Sequence, residues 1–377
     1  MTDYSSTAPA RLATRLAFFV AGFSMACCAP LFPFIKARVG ADESQFGVLL
    51  LCLGLGSIIA MPVTGIIATR SGAKPMVLLG GFGLVVFLPV LAMAATPLAL
   101  GVAIFLFGAS LGTVDVAMNV HGIEVEGQEK RPLMSNFHAQ FSLGGLFGAG
   151  LMTLILSLNV SVVNAALIGA AVALCGMLLA GPRLLCVSGG KPEPFALPRG
   201  SVMLLAILAA ITFLVEGAVL DWGALLIIER QLTDAQSAGV GYILFSVAMV
   251  IARLTGDRIV AALGEFWVLV FGGLLTIIGL ATVLVSAWPL VALAGFVLIG
   301  LGAANLVPIV FSLAGRQKVM PAGLAVASVT TTGYVGILVG PALVGFAAGA
   351  TSLPTAFWLL ALFMAIVPLT ARIIVSD

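Results

Sequence analysis

GPRLLCVSGGKPEPFALPRG, residues 181 to 200, is the longest polar stretch in the chain, and it falls near the middle. Pro and Gly punctuate it, so no regular element propagates through it. On either side the sequence is almost continuously apolar, in runs of about twenty residues, the length a helix needs to cross ~30 Å of hydrocarbon. Hydrophobic residues make up 61% of the 377 and charged residues 8%, whereas a soluble domain carries roughly 25% charge. The runs predict an all-α, polytopic membrane protein embedded in a lipid bilayer. A membrane β-barrel would alternate apolar and polar residues in ~10-residue strands, and these runs do not alternate.

Cutting at charged and turn-rich stretches gives twelve spans, six on each side of the polar stretch. The fourth runs from 98 to 120, the fifth from 133 to 157 and the seventh from 201 to 227. The organisation expected is a six-helix bundle over 1–181, a cytoplasmic linker over 182–200 and a second six-helix bundle over 201–377. The first run, 12 to 35, is too long for a signal-peptide core and is read as the first span. With both termini in the cytoplasm, fourteen of the seventeen Lys and Arg fall on the inner side, leaving Lys36, Arg38 and Arg230 outside. That bias obeys the positive-inside rule and predicts a multi-pass protein of the inner (plasma) membrane. The basic residues are scattered singly, so the net charge of +2 argues for no nucleic-acid partner. The five Cys form no disulfide pattern.

Features recur across the polar stretch. FGASLG (107–112) is echoed by LGAANL (301–306), GGLFGA (144–149) by GILVGP (336–341), and ATR (68–70) by GDR (256–258), at offsets of 194, 192 and 188. Near-equal offsets argue for a duplicated six-helix unit, and parallel repeats of that kind are a recurring transporter plan.

GIIATRSGAK (65–74) is similar to the loop signature of the major facilitator superfamily, with Thr69 where an acid usually precedes Arg70. ARLTGDRIVAALG (252–264) carries the counterpart with its acid, Asp257-Arg258, in place. DVAMNVHGIEVE, RPLMSNFHAQFSLGGLFGAG, EGAVLDW and TTGYVGILVGP resemble the fucose-permease-like branch of that superfamily, over essentially the whole chain. The resemblance implies two pseudo-symmetric six-helix bundles and secondary active transport by alternating access. It also implies gating roles for Arg70, Lys74, Glu126, Arg131, Arg253, Asp257 and Arg258. Fucose-type proton symporters have an acid on the first helix as well as on the fourth; here the first span has none.

Of the fifteen acids twelve fall in loops or at helix ends, leaving Asp115, Glu216 and Asp221 as the candidates within the predicted spans. A carboxylate near a helix centre costs about 2.5–3.5 kcal/mol on insertion scales, so its default reading is functional. Removal from water favours the protonated form, which is what proton coupling uses. With a helical rise of about 1.5 Å per residue, Asp115 belongs to the cytoplasmic half of the fourth helix, and His138 on the fifth reaches the same level. Asn119 stands at i+4 from Asp115, and Asn136 and Gln140 flank His138, so a polar cluster is expected between these helices. Proton coupling is assigned to Asp115, Glu216 and His138. Substrate binding is assigned to Asn119, Asn136, Gln140, Asp221, Trp222, Asn305 and Tyr334, with Trp222 offering a stacking face to a ring.

Bland readings stand beside these. Asp115 serves equally as an interhelical hydrogen-bond partner, Asp221 as a solvated helix-end charge and Trp222 as an interfacial belt residue. His121 is read as an inner interfacial residue, and Glu124, Glu126 and Glu129 as a solvated loop. The expectation is a monomeric, proton-coupled carrier of a small polar or sugar-like solute. A drug or metabolite exporter and a transporter-like receptor are the rivals. No enzyme is expected, since there is no metal-ligand spacing, and no cofactor is called for.

Overall fold

The computed structural model describes residues 7–41, 43–186, 197–232 and 240–376. Most of the 182–200 linker, with Lys191, and the start of the eighth predicted span lie outside the described residues. Within them the chain is all-α, with helices α1 (Thr7–Val39), α2 (Glu43–Ser71), α3 (Ala73–Met93), α4 (Pro97–Glu129), α5 (Met134–Ser157) and α6 (Val162–Ala180) before the linker. After it come α7 (Ser201–Glu229), α8 (Val240–Leu263), α9 (Glu265–Val285), α10 (Pro289–Ala303), α11 (Leu306–Arg316), α12 (Ala322–Ala350), α13 (Leu353–Met364) and α14 (Ile366–Ser376). Ten stretches of the described residues are long and apolar enough to span a bilayer. In two of them a pair of helices makes one crossing, α10 with α11 and α13 with α14. The 24-residue α8 and the 29-residue α12 are also as long as a crossing needs, so the described residues offer twelve helical stretches of that length.

Local chemistry sets several ends. Thr96, followed by Pro97 at the first helical position, accepts from the Ala99 amide and starts α4; Ser161 starts α6 and Ser352 starts α13 in the same way. Such caps satisfy amides that a helix start leaves orphaned. Gly72 (φ 77°) and Gly264 (φ 79°) turn the chain between α2 and α3 and between α8 and α9, in the left-handed region that favours Gly. α4 continues past the end at 120 expected from the sequence, so Glu124, Glu126 and Glu129 lie on a helix and not in a loop.

The described residues form two compact units. The first comprises Met1–Lys130, Phe137–Leu197 and Pro321–Thr331, and the second Arg131–Asn136, Pro198–Met320 and Thr332–Asp377. Each packs its helices by close backbone approach at small residues, and the approaches recur at equivalent places in the two. A Cβ on Gly108 of α4 would strike the backbone of Leu53 on α2, and one on Gly300 of α10 would strike that of Phe245 on α8. Gly80 against Ser110 is matched in the same register by Gly272 against Gly302. At the helix ends Arg38 donates to the Ala92 carbonyl, and Arg230 to that of Val283. Close approach is how helices gain packing energy in lipid, where no hydrophobic drive exists between them. The duplication read from FGASLG and LGAANL is therefore a duplication of helix contacts.

Candidate functional site

In the first unit, Asp115 is half-buried on α4 and Asn119, one turn on, is fully buried. The Asn119 Nδ2 group donates to the Asp115 carbonyl oxygen at 2.9 Å and to its Oδ1 at 3.3 Å. The carbonyl oxygen can only accept, so the amide is oriented with Nδ2 toward Asp115 and Oδ1 toward His138. The His138 Nε2, 3.2 Å from Asn119 Oδ1, is consequently a donor. One buried amide thus links a carboxylate on α4 to an imidazole on α5, and its polarity fixes which ring nitrogen carries hydrogen. The Phe18 ring of α1 covers His138 at 5.1 Å between centroids. Gln140 is half-buried two residues further along α5.

In the second unit, Glu216 of α7 and Arg253 of α8 form an ion pair at 3.5 Å, with side chains 17% and 8% exposed. Arg253 Nε also donates to the Ala304 carbonyl at 3.0 Å. That carbonyl lies at the break between α10 and α11, and next to it Asn305 Nδ2 donates to the Ala252 carbonyl at 3.3 Å. Two side-chain bonds therefore stitch the interrupted helix to α8, as a break at membrane depth requires. Asn305 Oδ1 is buried without a hydrogen-bond partner among the described residues, as is Trp222 Nε1. The Trp222 ring edge lies against Gly345 of α12, where a Cβ would come within 3.2 Å. Tyr334 is half-buried on α12, whereas Asp221 is exposed.

Of the residues assigned to gating, Arg70, Lys74, Glu126 and Arg131 fall at or beside helix ends, and Arg253, Asp257 and Arg258 lie within α8. Asp257 Oδ1 accepts from the Asn136 amide in the first turn of α5, at 3.2 Å, where a negative charge complements the helix dipole. This draws Asn136 into the second unit and away from the role of flanking His138. Thr69, standing where an acid is usual, donates to Ile66 of its own helix at 2.7 Å. Beside it Gly65 and Gly323 bring α2 and the start of α12 into near-backbone contact within the first unit. Lys74 Nζ lies 3.4 Å from Cys186 Sγ; Arg70, Arg131 and Arg258 are exposed and Glu126 is half-buried. Arg253, grouped with the gate from the sequence, is instead buried in the Glu216 pair.

Two groups escaped the sequence reading. His121 is not interfacial: it is fully buried. Thr14 gives its hydroxyl hydrogen to the Ala10 carbonyl, so His121 Nδ1 donates to Thr14 Oγ1 at 2.9 Å while Nε2 accepts from the Leu185 amide at 2.9 Å. A single neutral tautomer satisfies both bonds. Glu129, expected in a solvated loop, is buried and held by Arg11 Nη1 at 2.8 Å. All three partners are remote in sequence from the groups they hold, so no local pattern announces them.

The model of the Major Facilitator Superfamily matches residues 15–314. The chain belongs to the major facilitator superfamily. An uncharacterised transporter of this superfamily from Yersinia pestis is 44% identical over 365 residues, 96% of this chain and 95% of its own. Among solved structures, the Escherichia coli fucose:proton symporter superposes with a TM-score of 0.83 at 18% identity, covering 98% of this chain and 99% of that one. The human organic anion transporter MFSD10 gives 0.77 at 16%, covering 97% and 99%. At these identities the likeness is one of fold. The chain is thus a multi-pass membrane transporter of the superfamily and not an enzyme.

Proposed function

We propose that this superfamily member couples the movement of a small polar, sugar-like solute to protons by alternating access, in a bacterial-type inner membrane with both termini cytoplasmic. Residues 1–181 and 201–377 act as its two bodies and 182–200 joins them. The observation that carries the reading is the chain Asp115, Asn119, His138. It is a titratable acid and a titratable base joined by one buried amide, at a depth where an ionised carboxylate must have a use to be retained. Asp115 takes the proton; His138 senses the change through Asn119. With no acid on α1, Glu216 serves as the second proton-binding carboxylate, and Arg253 holds its charge when it is ionised.

Gaining a proton changes the charge of these sites and so biases one access state over the other, which is the differential interaction a switch requires. For the solute, the support lies in Asn119, Gln140, Asn305 and Tyr334 together with the indole N–H of Trp222, which has no partner among the described residues. A donor beside an aromatic face suits a hydroxylated ring. A cavity for apolar drugs would be lined by aromatic and aliphatic groups alone.

A thermal-shift screen of the purified protein against monosaccharides, organic acids and lipophilic cations tests this, because a ligand favouring the folded form raises the melting point. Stabilisation by a polar, ring-shaped solute, followed by proton uptake into proteoliposomes when that solute is added, is the expected result. Stabilisation by lipophilic cations alone sinks the sugar-like reading.

A further inference from the structure

At the end of the second unit where α7 and α9 begin and α11 and α14 end, the structure has a cavity of about 250 Å³. Its floor is apolar, made of Leu205, Leu313 and Ile374, which are almost fully buried. Its mouth is polar. Arg316 and Glu265 face each other there as an ion pair whose side chains are 55% and 20% exposed. Ser201 Oγ is buried in it with no hydrogen-bond partner among the described residues. Gln317, also on the wall, is already used up by the Ala314 and Met320 carbonyls and the Val319 and Met320 amides, so it builds the rim and binds nothing further. None of these residues belongs to the site proposed for transport.

Depth narrows what such a cavity meets. In the first two turns of α9, close to Glu265, Trp267 stacks on Phe271 at 5.3 Å and contacts Phe266 edge-on at 4.9 Å. Trp267 and Phe271 are 49% and 53% exposed. An exposed Trp sits at the headgroup level of a bilayer, and Trp267, two residues from Glu265, puts the Arg316–Glu265 mouth among lipid headgroups and the apolar floor beside the first methylenes. At about 250 Å³ the space is below the roughly 300–1,000 Å³ typical of drug-sized sites.

We propose that this cavity binds the headgroup of a zwitterionic phospholipid bearing a primary amine. Arg316 and the Ser201 hydroxyl take its phosphate, Glu265 takes its ammonium, and the chains leave over Leu313 and Ile374. The argument is charge complementarity: the mouth carries one cation and one anion side by side, and the headgroup carries the same pair in the opposite order. Arg316 is exposed and Glu265 half-buried, and an ion pair open to water on one side holds together weakly, so the headgroup replaces one weak contact by two charge-assisted ones and supplies the Ser201 hydroxyl, which has no partner among the described residues, with an acceptor. A purely anionic headgroup matches Arg316 and meets Glu265 as a like charge. A choline headgroup has no N–H to donate to Glu265.

Full-length protein in nanodiscs of phosphatidylcholine, doped in turn with phosphatidylethanolamine and phosphatidylglycerol, tests the assignment by native mass spectrometry of retained lipid and by melting temperature. Phosphatidylethanolamine should be retained several-fold over both others and should raise the melting temperature. Glu265→Gln should lose the preference for the primary amine over choline, and Arg316→Gln should lose retention of all three. Lys318→Gln, an exposed neighbour outside the cavity, should behave as wild type and controls for misfolding. A separate arm adds soluble phosphoethanolamine to protein in phosphatidylcholine. Stabilisation there, with no preference among the lipids, assigns the site to a soluble ligand and overturns the lipid proposal. Equal retention of phosphatidylglycerol, or a preference that survives Glu265→Gln, overturns it as well.

Discussion

Asp115→Asn separates coupling from folding. Asn119 gives Asp115 two bonds, and the shorter, at 2.9 Å, goes to the backbone carbonyl, which the substitution leaves in place. The other, at 3.3 Å to Oδ1, still finds an amide oxygen of the same shape. At this contact a charge-assisted bond becomes a neutral one, a difference of about 1 kcal/mol, so expression and melting should shift little. The functional effect should be far larger. A proton crossing about 100 mV supplies ~2.3 kcal/mol, which at about 1.4 kcal/mol per factor of ten supports roughly a 40-fold accumulation of a co-transported solute. With the titratable group gone, the variant should equilibrate the solute without concentrating it. The assay is proteoliposomes carrying an internal pH dye and a labelled monosaccharide identified by the thermal-shift screen, under an imposed potential and then in counterflow. Counterflow retained with uphill accumulation lost is the expected pair of results. Full accumulation with accompanying proton flux would refute Asp115 as the coupling group.

Removing Arg253 alone, as Arg253→Met, strands the Glu216 carboxylate in a largely buried position and should cost about 3–5 kcal/mol, whereas the double variant with Glu216→Leu should recover much of that; denaturation midpoints of the four proteins close the cycle. His121→Ala deletes two buried hydrogen bonds and leaves a cavity, an expected loss of about 2–4 kcal/mol; hydrogen exchange should show the Leu185 amide losing protection while amides of α9 do not change. Gly108→Val and Gly300→Val each force apart a helix pair in close backbone contact, so both should destabilise by at least the roughly 1–3 kcal/mol of core overpacking. If only one of them does, the two units are not packed on the same plan.

The sequence by itself decided the class of molecule, the number of crossings and the duplication, because bilayer thickness and the cost of burying charge write length and hydropathy into the chain directly. It also singled out Asp115, Asn119, His138 and Glu216, since polar side chains inside apolar spans stand out against their surroundings, and helical periodicity relates Asn119 to Asp115 within one turn. Which groups meet across helices was decided by tertiary structure alone. Arg253 reads from sequence as part of a loop signature, yet its guanidinium reaches Glu216 and the carbonyl exposed by the α10–α11 break. His121 looks interfacial until Thr14 and Leu185, 107 and 64 residues away, close around it. Glu129 stays buried because Arg11 arrives from the first turns of α1. Pairings of this kind depend on helix rotation and crossing geometry. Those are fixed by glycine contacts between distant segments, and no local pattern of residues encodes them.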